Sequence, residues 1–94
     1  MTLKGKYFRM DARPRGRLVL LHVNETSIKD PVEAHAMAFM MSADYFEVYK
    51  GEFKEAERKD FQFLTEEFFK YYTEITSEEY NQEYQEYKPK TEEE

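Results

Sequence analysis

The chain has 94 residues, with 20 Asp or Glu, 14 Lys or Arg and no cysteine, and carries a formal net charge of −6 at pH 7. This length predicts a single domain, and the lack of cysteine excludes disulfides, thiolate zinc sites and a cysteine nucleophile. No apolar run approaches the roughly 18 residues of a membrane span and no signal segment is recognisable, so we expect a cytoplasmic protein without a membrane partner.

The first third of the chain has the pattern of a β-hairpin. Residues 3–10 alternate loosely and predict a strand, and residues 17–23, rich in leucine and valine, predict its partner. Residues 11–16 between them contain a proline and a glycine, which favour a turn. A polar loop is expected over residues 24–31.

Residues 31–42 fit either a helix or a strand. The segment Asp30-Pro31-Val32-Glu33 has the order of a helix start. Residues 34–43, however, contain no charged side chain unless His35 is protonated, so a helix there would be apolar on every side. We therefore predict a strand, with His35, Met37, Phe39 and Met41 on one face and Ala34, Ala36 and Ala38 on the other.

The middle of the chain predicts further strands. Residues 42–44 are expected to form a tight connection, and residues 45–50 a strand that ends at Gly51. Residues 52–60 are highly charged and fit a short helix or an extended edge strand, and residues 61–63 alternate. A final strand is predicted in which one face holds Phe69, Tyr71, Thr73 and Ile75.

The clearest helix start lies at Thr76. Thr76 and Glu79 have the spacing of a capping box, in which each side chain bonds the other residue's backbone N–H, while Ile75 and Tyr80 have that of a hydrophobic staple. A C-terminal helix is therefore predicted over about residues 77–88. It is expected to pack on the sheet through Tyr80, Tyr84 and Tyr87.

Together these elements predict an α+β fold. We expect a five- to six-stranded antiparallel sheet, curled into a small barrel, with one C-terminal helix. Residues 1–88 would form this single domain, and residues 89–94 a disordered acidic tail.

Catalytic chemistry is not indicated by the sequence. His22 and His35 are the only histidines, and no third metal ligand is suggested beside them. None of the serines has the context of a nucleophile elbow, and three glycines cannot build a phosphate-binding loop. We therefore expect a protein that is not an enzyme and that holds no metal and no cofactor.

The charge is distributed unevenly along the chain. Residues 1–29 hold seven Lys or Arg and two acids, whereas residues 30–94 hold seven Lys or Arg and eighteen acids. An acidic surface repels nucleic acid, so direct nucleic-acid binding is not the first expectation. The basic loop of the predicted hairpin is either a solvated loop or an anion-binding site formed by Arg13, Arg15 and Arg17.

An acidic row on the predicted C-terminal helix is the second candidate site. Its glutamates repeat the tyrosine spacing one position earlier, so they border the tyrosine row. They are either a solvated helix face beside a core-facing stripe or a partner-binding surface for a basic groove. The partner-binding set would be Glu74, Glu79, Glu83, Glu86, Tyr80, Tyr84 and Tyr87.

Three segments carry a resemblance to known proteins. Gly5-Lys6-Tyr7-Phe8, Val48-Tyr49-Lys50-Gly51-Glu52-Phe53 and Glu74-Ile75-Thr76-Ser77-Glu78-Glu79-Tyr80-Asn81 resemble small, mostly uncharacterised proteins of phages and mobile elements of Gram-positive bacteria. The resemblance implies binding and inhibition of a host enzyme or a defence complex, including CRISPR and restriction systems.

The expected function is therefore that of a non-enzymatic protein-binding module. It would inhibit a host or defence protein, for instance one that binds nucleic acid, through its acidic, tyrosine-rich surface. The first alternative is a binder of phosphate ligands or nucleic acid that uses the arginine loop. The second is a structural subunit of a virion or small assembly, whose strand edges pair between copies.

Overall fold

A computed structural model describes residues 3–27 and 38–89, whose strands form one open antiparallel sheet. The elements in chain order are β1 (Tyr7–Asp11), β2 (Leu18–Thr26), β3 (Ala38–Tyr49), β4 (Glu52–Leu64), α1 (Thr65–Tyr71), β5 (Thr73–Ile75) and α2 (Ser77–Tyr87). The five strands lie in the order β4-β3-β2-β1-β5. The predicted barrel is wrong: among the described residues β4 and β5 each pair with one neighbour only, which leaves two free edges.

The predicted first hairpin is confirmed, with shifted boundaries. The turn between β1 and β2 depends on Gly16, whose N–H donates to the Ala12 carbonyl at 2.8 Å. A Cβ at Gly16 would lie 2.7 Å from that of Ala12, so a side chain there does not fit. The first strand begins at Tyr7 rather than at residue 3, because the chain turns at Gly5, whose φ is +84°.

β2 is longer than predicted. It continues to Thr26 past an irregularity in its pairing with β3 between Val23 and Glu25, so residues 24–26 belong to the sheet rather than to a loop. Ser27 follows the strand as a bend, and residues 28–31 of the predicted loop lie outside the described residues.

β3 and β4 form a long hairpin closed at Lys50 and Gly51. Both residues have positive φ, +51° and +80°, as in the two-residue turns whose twist matches that of the strands. The predicted connection at residues 42–44 is wrong, since Ala43 is fully buried in the middle of β3. The chain stays extended there, although its pairing register shifts beside Ala43 with both β2 and β4. Residues 52–60 are extended, so the edge-strand interpretation is confirmed and the helix is excluded; residues 61–63 continue the same strand.

The ambiguous segment is a strand where the structure describes it. Phe39 and Met41 are buried and Ala38 and Met40 are exposed, as the predicted alternation requires. The remaining predicted positions, among them His35 and Met37, lie outside the described residues.

The two helices cover opposite faces of the sheet. Alternate residues of β2 belong to different cores, so Val19 and Leu21 join the α1-side cluster while Leu18 and Leu20 join the α2-side cluster. The α1-side cluster includes Phe68; the α2-side cluster is covered by Tyr80, Tyr84 and Tyr87.

The helix α1 was not predicted and replaces most of the expected final strand. Phe69 and Tyr71 are helical, and only Thr73–Ile75 pairs as a strand. The helix begins after Leu64 without a side-chain cap, so it lacks the sequence signal that marks most helix starts.

The capping box of α2 is confirmed. The Glu79 N–H donates to Thr76 Oγ1 at 3.0 Å, and the Thr76 N–H donates to Glu79 Oε1 at 2.9 Å. The helix runs from Ser77 to Tyr87, close to the predicted boundaries. Residues 90–94 of the predicted tail lie outside the described residues. Within residues 3–27 and 38–89, no helix combines the length and apolar character that crossing a membrane requires.

Candidate protein-binding groove

A groove of about 480 Å³ lies where the β5 edge of the sheet meets α2. β5 leaves the end of α1 and turns at once into α2, so this one short segment brings both helices to the same edge of the sheet. We call the feature the edge groove; it is lined by Arg9, Asp11, Tyr71, Thr73, Ile75, Glu79 and Glu83.

The predicted glutamates have different roles in and around this groove. Glu83 accepts a 2.6 Å hydrogen bond from Arg9 Nε, which connects α2 to β1. Glu79 forms the capping box, and Glu74 pairs with Lys6 at 3.1 Å outside the groove. Glu86 is exposed and has no ion pair within the part of the chain that the structure describes. The predicted acidic set is therefore partly structural.

The tyrosine row of α2 packs on the sheet, as predicted for this helix, which leaves little of it for the partner-binding role predicted for the same residues. The Tyr80 and Tyr84 rings contact the Phe46 ring edge-on, with ring centroids 5.3 and 5.4 Å apart. Burial, with a smaller contribution from Asp44, raises the pKa of the Tyr80 phenol above its ordinary value. These rings stabilise the α2 side of the sheet, so a partner can reach little of their surface.

The hydroxyl groups of Tyr84 and Tyr87 also form hydrogen bonds within the protein. Tyr84 donates to Glu55 Oε1 at 2.7 Å, and Tyr87 accepts from Arg13 Nη1 at 3.0 Å. The helix is thereby attached at its C-terminal half to β4 and to the first hairpin loop.

The aromatic rings available for contact lie on α1 instead. Tyr71 is 58% exposed and lines the edge groove, and Phe69 is 38% exposed on the same helix. Their alternation along the sequence predicted a strand at both positions, and no binding role was predicted for either residue. The signal that could have found the helix is its charge order, with Glu66 and Glu67 in the first turn and Lys70 in the last.

The three arginines of the predicted anion site do not converge. Arg13 donates from Nε and Nη2 to the two oxygens of Asp11, at 2.9 and 2.8 Å, and lies over the Tyr87 ring on the α2 side. Arg17 instead pairs with Glu47 at 3.1 Å and lies over the Tyr49 ring, on the face that α1 partly covers.

Both of these arginines already have a carboxylate partner. The hydrogen bonds from Arg13, joined by the charges of Arg13 and Arg9, lower the pKa of Asp11 to about 2. Arg15 is exposed, and it is the one arginine of the predicted set for which no such partner is found in residues 3–27 and 38–89.

The histidine that the structure describes has a packing role. His22 stacks on Tyr7 with ring centroids 4.2 Å apart, and its Nδ1 lies 3.8 Å from Asp44 Oδ2, beyond hydrogen-bonding distance. No group of three or more His, Asp or Glu among the described residues is arranged to hold a metal ion. His35 lies outside those residues.

The elements around the groove carry the negative charge of the protein. Residues 65–87 contain seven Glu and one Lys, a balance of −6, which equals the net charge of the whole chain. The groove itself is lined by three carboxylates and one guanidinium, a formal balance of −2. Comparison with protein-family models, with curated proteins and with solved structures finds no match for this chain.

Proposed function

We propose that the chain is a non-enzymatic protein-binding module whose edge groove and surrounding acidic side bind a basic surface of another protein. The observation that carries the proposal is the position of Tyr71, more than half exposed, beside Glu79 and Glu83 in the same groove. An exposed aromatic ring next to carboxylates suits lysine and arginine side chains, since it offers both apolar area and attraction to a cation.

The charge of this side supports the same partner class. A balance of −6 over residues 65–87 favours encounter with a positively charged protein and disfavours nucleic acid. The resemblance to small phage proteins makes a host enzyme or a defence protein, such as one of a CRISPR or restriction system, the partner that we propose to test first. Inhibition would follow if the acidic side around the edge groove covered a basic surface with which the partner binds nucleic acid.

The experiment begins with co-purification from cells that express the tagged chain, followed by affinity measurements on the purified partner. Three proteins are compared. They are the parent, the double variant Tyr71→Ala/Glu86→Lys, and the control Glu52→Lys, which reverses an exposed charge at the far edge of the sheet. We call the double variant the groove variant; it changes one residue of the edge groove and one glutamate of the surrounding acidic side. Neither test residue has a structural hydrogen bond among the described residues.

We expect the groove variant to bind at least about tenfold more weakly and the control to bind like the parent. The affinity of the parent should also fall as NaCl is raised, because the attraction is electrostatic. Equal affinity for the parent and the groove variant, or binding that is insensitive to salt, would refute the proposal.

A further inference from the structure

The β4 and β5 edges, which pair with no further strand among the described residues, differ in how they are protected. β4 has seven charged residues among thirteen, and Arg58 at φ +53° interrupts it, with its N–H held by Asp44 Oδ1 at 3.1 Å. Charge and a local irregularity are two of the devices with which natural sheets prevent another strand from pairing, and short length, as in β5, is a third. β5 has one charged residue among three and no register shift in its pairing with β1.

β5 also covers only part of the strand beside it. Its three residues pair with Tyr7, Phe8 and Arg9, whereas β1 continues to Asp11. Beyond Arg9 no described strand lies on that side of β1, and Asp11 lines the edge groove there. The edge is thus short, stepped and next to a groove.

We infer that the β5 edge accepts an extended basic segment of the partner as an additional strand, with a lysine or arginine side chain entering the edge groove. This inference rests on the proposed function and specifies how the partner binds. Backbone hydrogen bonds to β5 would supply affinity, and the groove would supply selectivity for a cationic side chain.

The pleat of the sheet determines which side chains of an added strand would enter the edge groove. Thr73 and Ile75 face the groove, so an added strand would direct every second side chain to the same side. A cationic group there lies close to Glu79 and Glu83 and can contact the Tyr71 ring. The intervening side chains fall on the opposite face, where the nearest β5 residue is Glu74. Its carboxylate is already paired with Lys6 at 3.1 Å, so a basic residue is not required on that side.

The probe for this inference is an N-acetylated, C-amidated peptide of about eight residues that alternates lysine with valine and has the length of an ordinary strand. Its control has the same sequence and charge but carries N-methyl groups on alternate amides, which removes the donors that strand pairing needs. Binding is followed by the NMR amide shifts of the parent protein and by titration at two salt concentrations.

We expect the unmodified peptide to shift the amides of Tyr72 to Thr76 and the N-methylated peptide to bind much more weakly. Tyr71→Ala should weaken binding about threefold to fivefold, while Met40→Ala, which removes a similarly exposed side chain elsewhere, should have no effect. Equal binding of the two peptides would overturn strand addition while leaving an acidic docking surface intact. Shifts confined to α2, or no binding by either peptide, would also overturn it, and the partner assay above would still decide the proposed function.

Discussion

Arg9 in β1 and Glu83 in α2 are 74 positions apart in sequence, and Arg9 Nε donates to Glu83 Oε2 at 2.6 Å. This bond joins the second strand from the edge of the sheet to the last helix, beside the edge groove. Because both side chains are partly buried, their attraction is screened less than that of a fully exposed pair.

The first prediction concerns the strength of this pair. A double-mutant cycle with Arg9→Gln and Glu83→Gln should give a coupling of about 1 kcal/mol in the free energy of unfolding. The pair Lys4–Glu25, at 3.2 Å and mostly exposed, serves as the control and should give about 0.3 kcal/mol or less. Urea unfolding measures both; equal couplings would contradict the structural role of the Arg9–Glu83 bond.

The second prediction tests the orientation of α1. Phe68 is 1% exposed and packs against Phe8 and Phe39, so Phe68→Ala should cost about 3–5 kcal/mol. Phe69→Ala, one position further along the helix and exposed, should cost less than about 1 kcal/mol. If Phe68→Ala does not fold, Phe68→Leu provides a milder comparison. Similar losses for both positions would mean that α1 presents a different face to the sheet.

The third prediction concerns the start of α2. Thr76→Ala removes the acceptor for the Glu79 N–H and should lower the free energy of unfolding by about 1 kcal/mol. Thr76→Ser keeps a hydroxyl at the same place and should retain most of the stability. The cap would not be the cause if serine and alanine were equally destabilising in thermal unfolding.

The fourth prediction concerns alkaline pH. Burial raises the pKa of Tyr72 to about 12 from an ordinary value of 10.0, with a smaller effect of Glu47. The unfolded chain loses this proton at lower pH than the folded chain. The contribution of Tyr72 to the free energy of unfolding is therefore fully present below pH 10 and is lost as the pH rises toward 12. The slope for one such tyrosine is about 1 kcal/mol per pH unit at most.

Tyr72→Phe should therefore make the free energy of unfolding fall less steeply between pH 10 and the highest pH at which the protein stays folded. Urea unfolding monitored by circular dichroism gives this slope. A Tyr71→Phe variant, which alters an exposed phenol, is the matched control and should follow the parent. An unchanged slope in Tyr72→Phe would exclude the buried phenol as its source.

The fifth prediction concerns acid. The Asp11 carboxyl, whose pKa is held at about 2 mainly by hydrogen bonds from Arg13, contributes stability that is present above its unfolded pKa and is lost as the pH falls through about 2. An NMR titration should show Asp11 ionised well below pH 3.8, its ordinary value, and Arg13→Ala should move the midpoint back toward that value. A midpoint that does not respond to Arg13→Ala would show that another group lowers it.

The parts of the fold that the sequence predicted are those with strong local signals. Thr76 and Glu79 form the capping box because the two side chains satisfy each other's backbone within one turn, whatever surrounds them. Gly51 ends its strand for a similarly local reason, a positive φ.

The sequence-based predictions were wrong where tertiary contacts determine the backbone conformation. The small and polar residues Ser42 and Asp44 suggested a turn, yet they mark a shifted register inside β3, which pairing on both sides keeps extended. Phe69 and Tyr71 alternate with other residues as in a strand, but the burial of Phe68 against the sheet makes the segment helical.

The candidate site was predicted only in its charge. The sequence located the acidic C-terminal side and predicted that its tyrosine row packs on the sheet. The same rings were also predicted to contact a partner, because spacing along one helix does not tell how much of each ring stays exposed. Tyr80 and Tyr84 pack on Phe46, and among the described residues no other helix covers that face. Tyr71 was missed because its exposure depends on where α1 ends.

The burial of β2 on both faces has a consequence for how the chain avoids misfolded alternatives. Leu18, Leu20 and Leu21 are fully shielded from water and Val19 nearly so, although successive residues point in opposite directions. A slip of one residue in this strand would exchange the occupants of two hydrophobic layers simultaneously and would bring Arg17 or His22 into a space shaped for an aliphatic side chain. The register of the central strand therefore constrains the register of the whole sheet. Once β2 is correctly paired, the other strands have few alternative pairings.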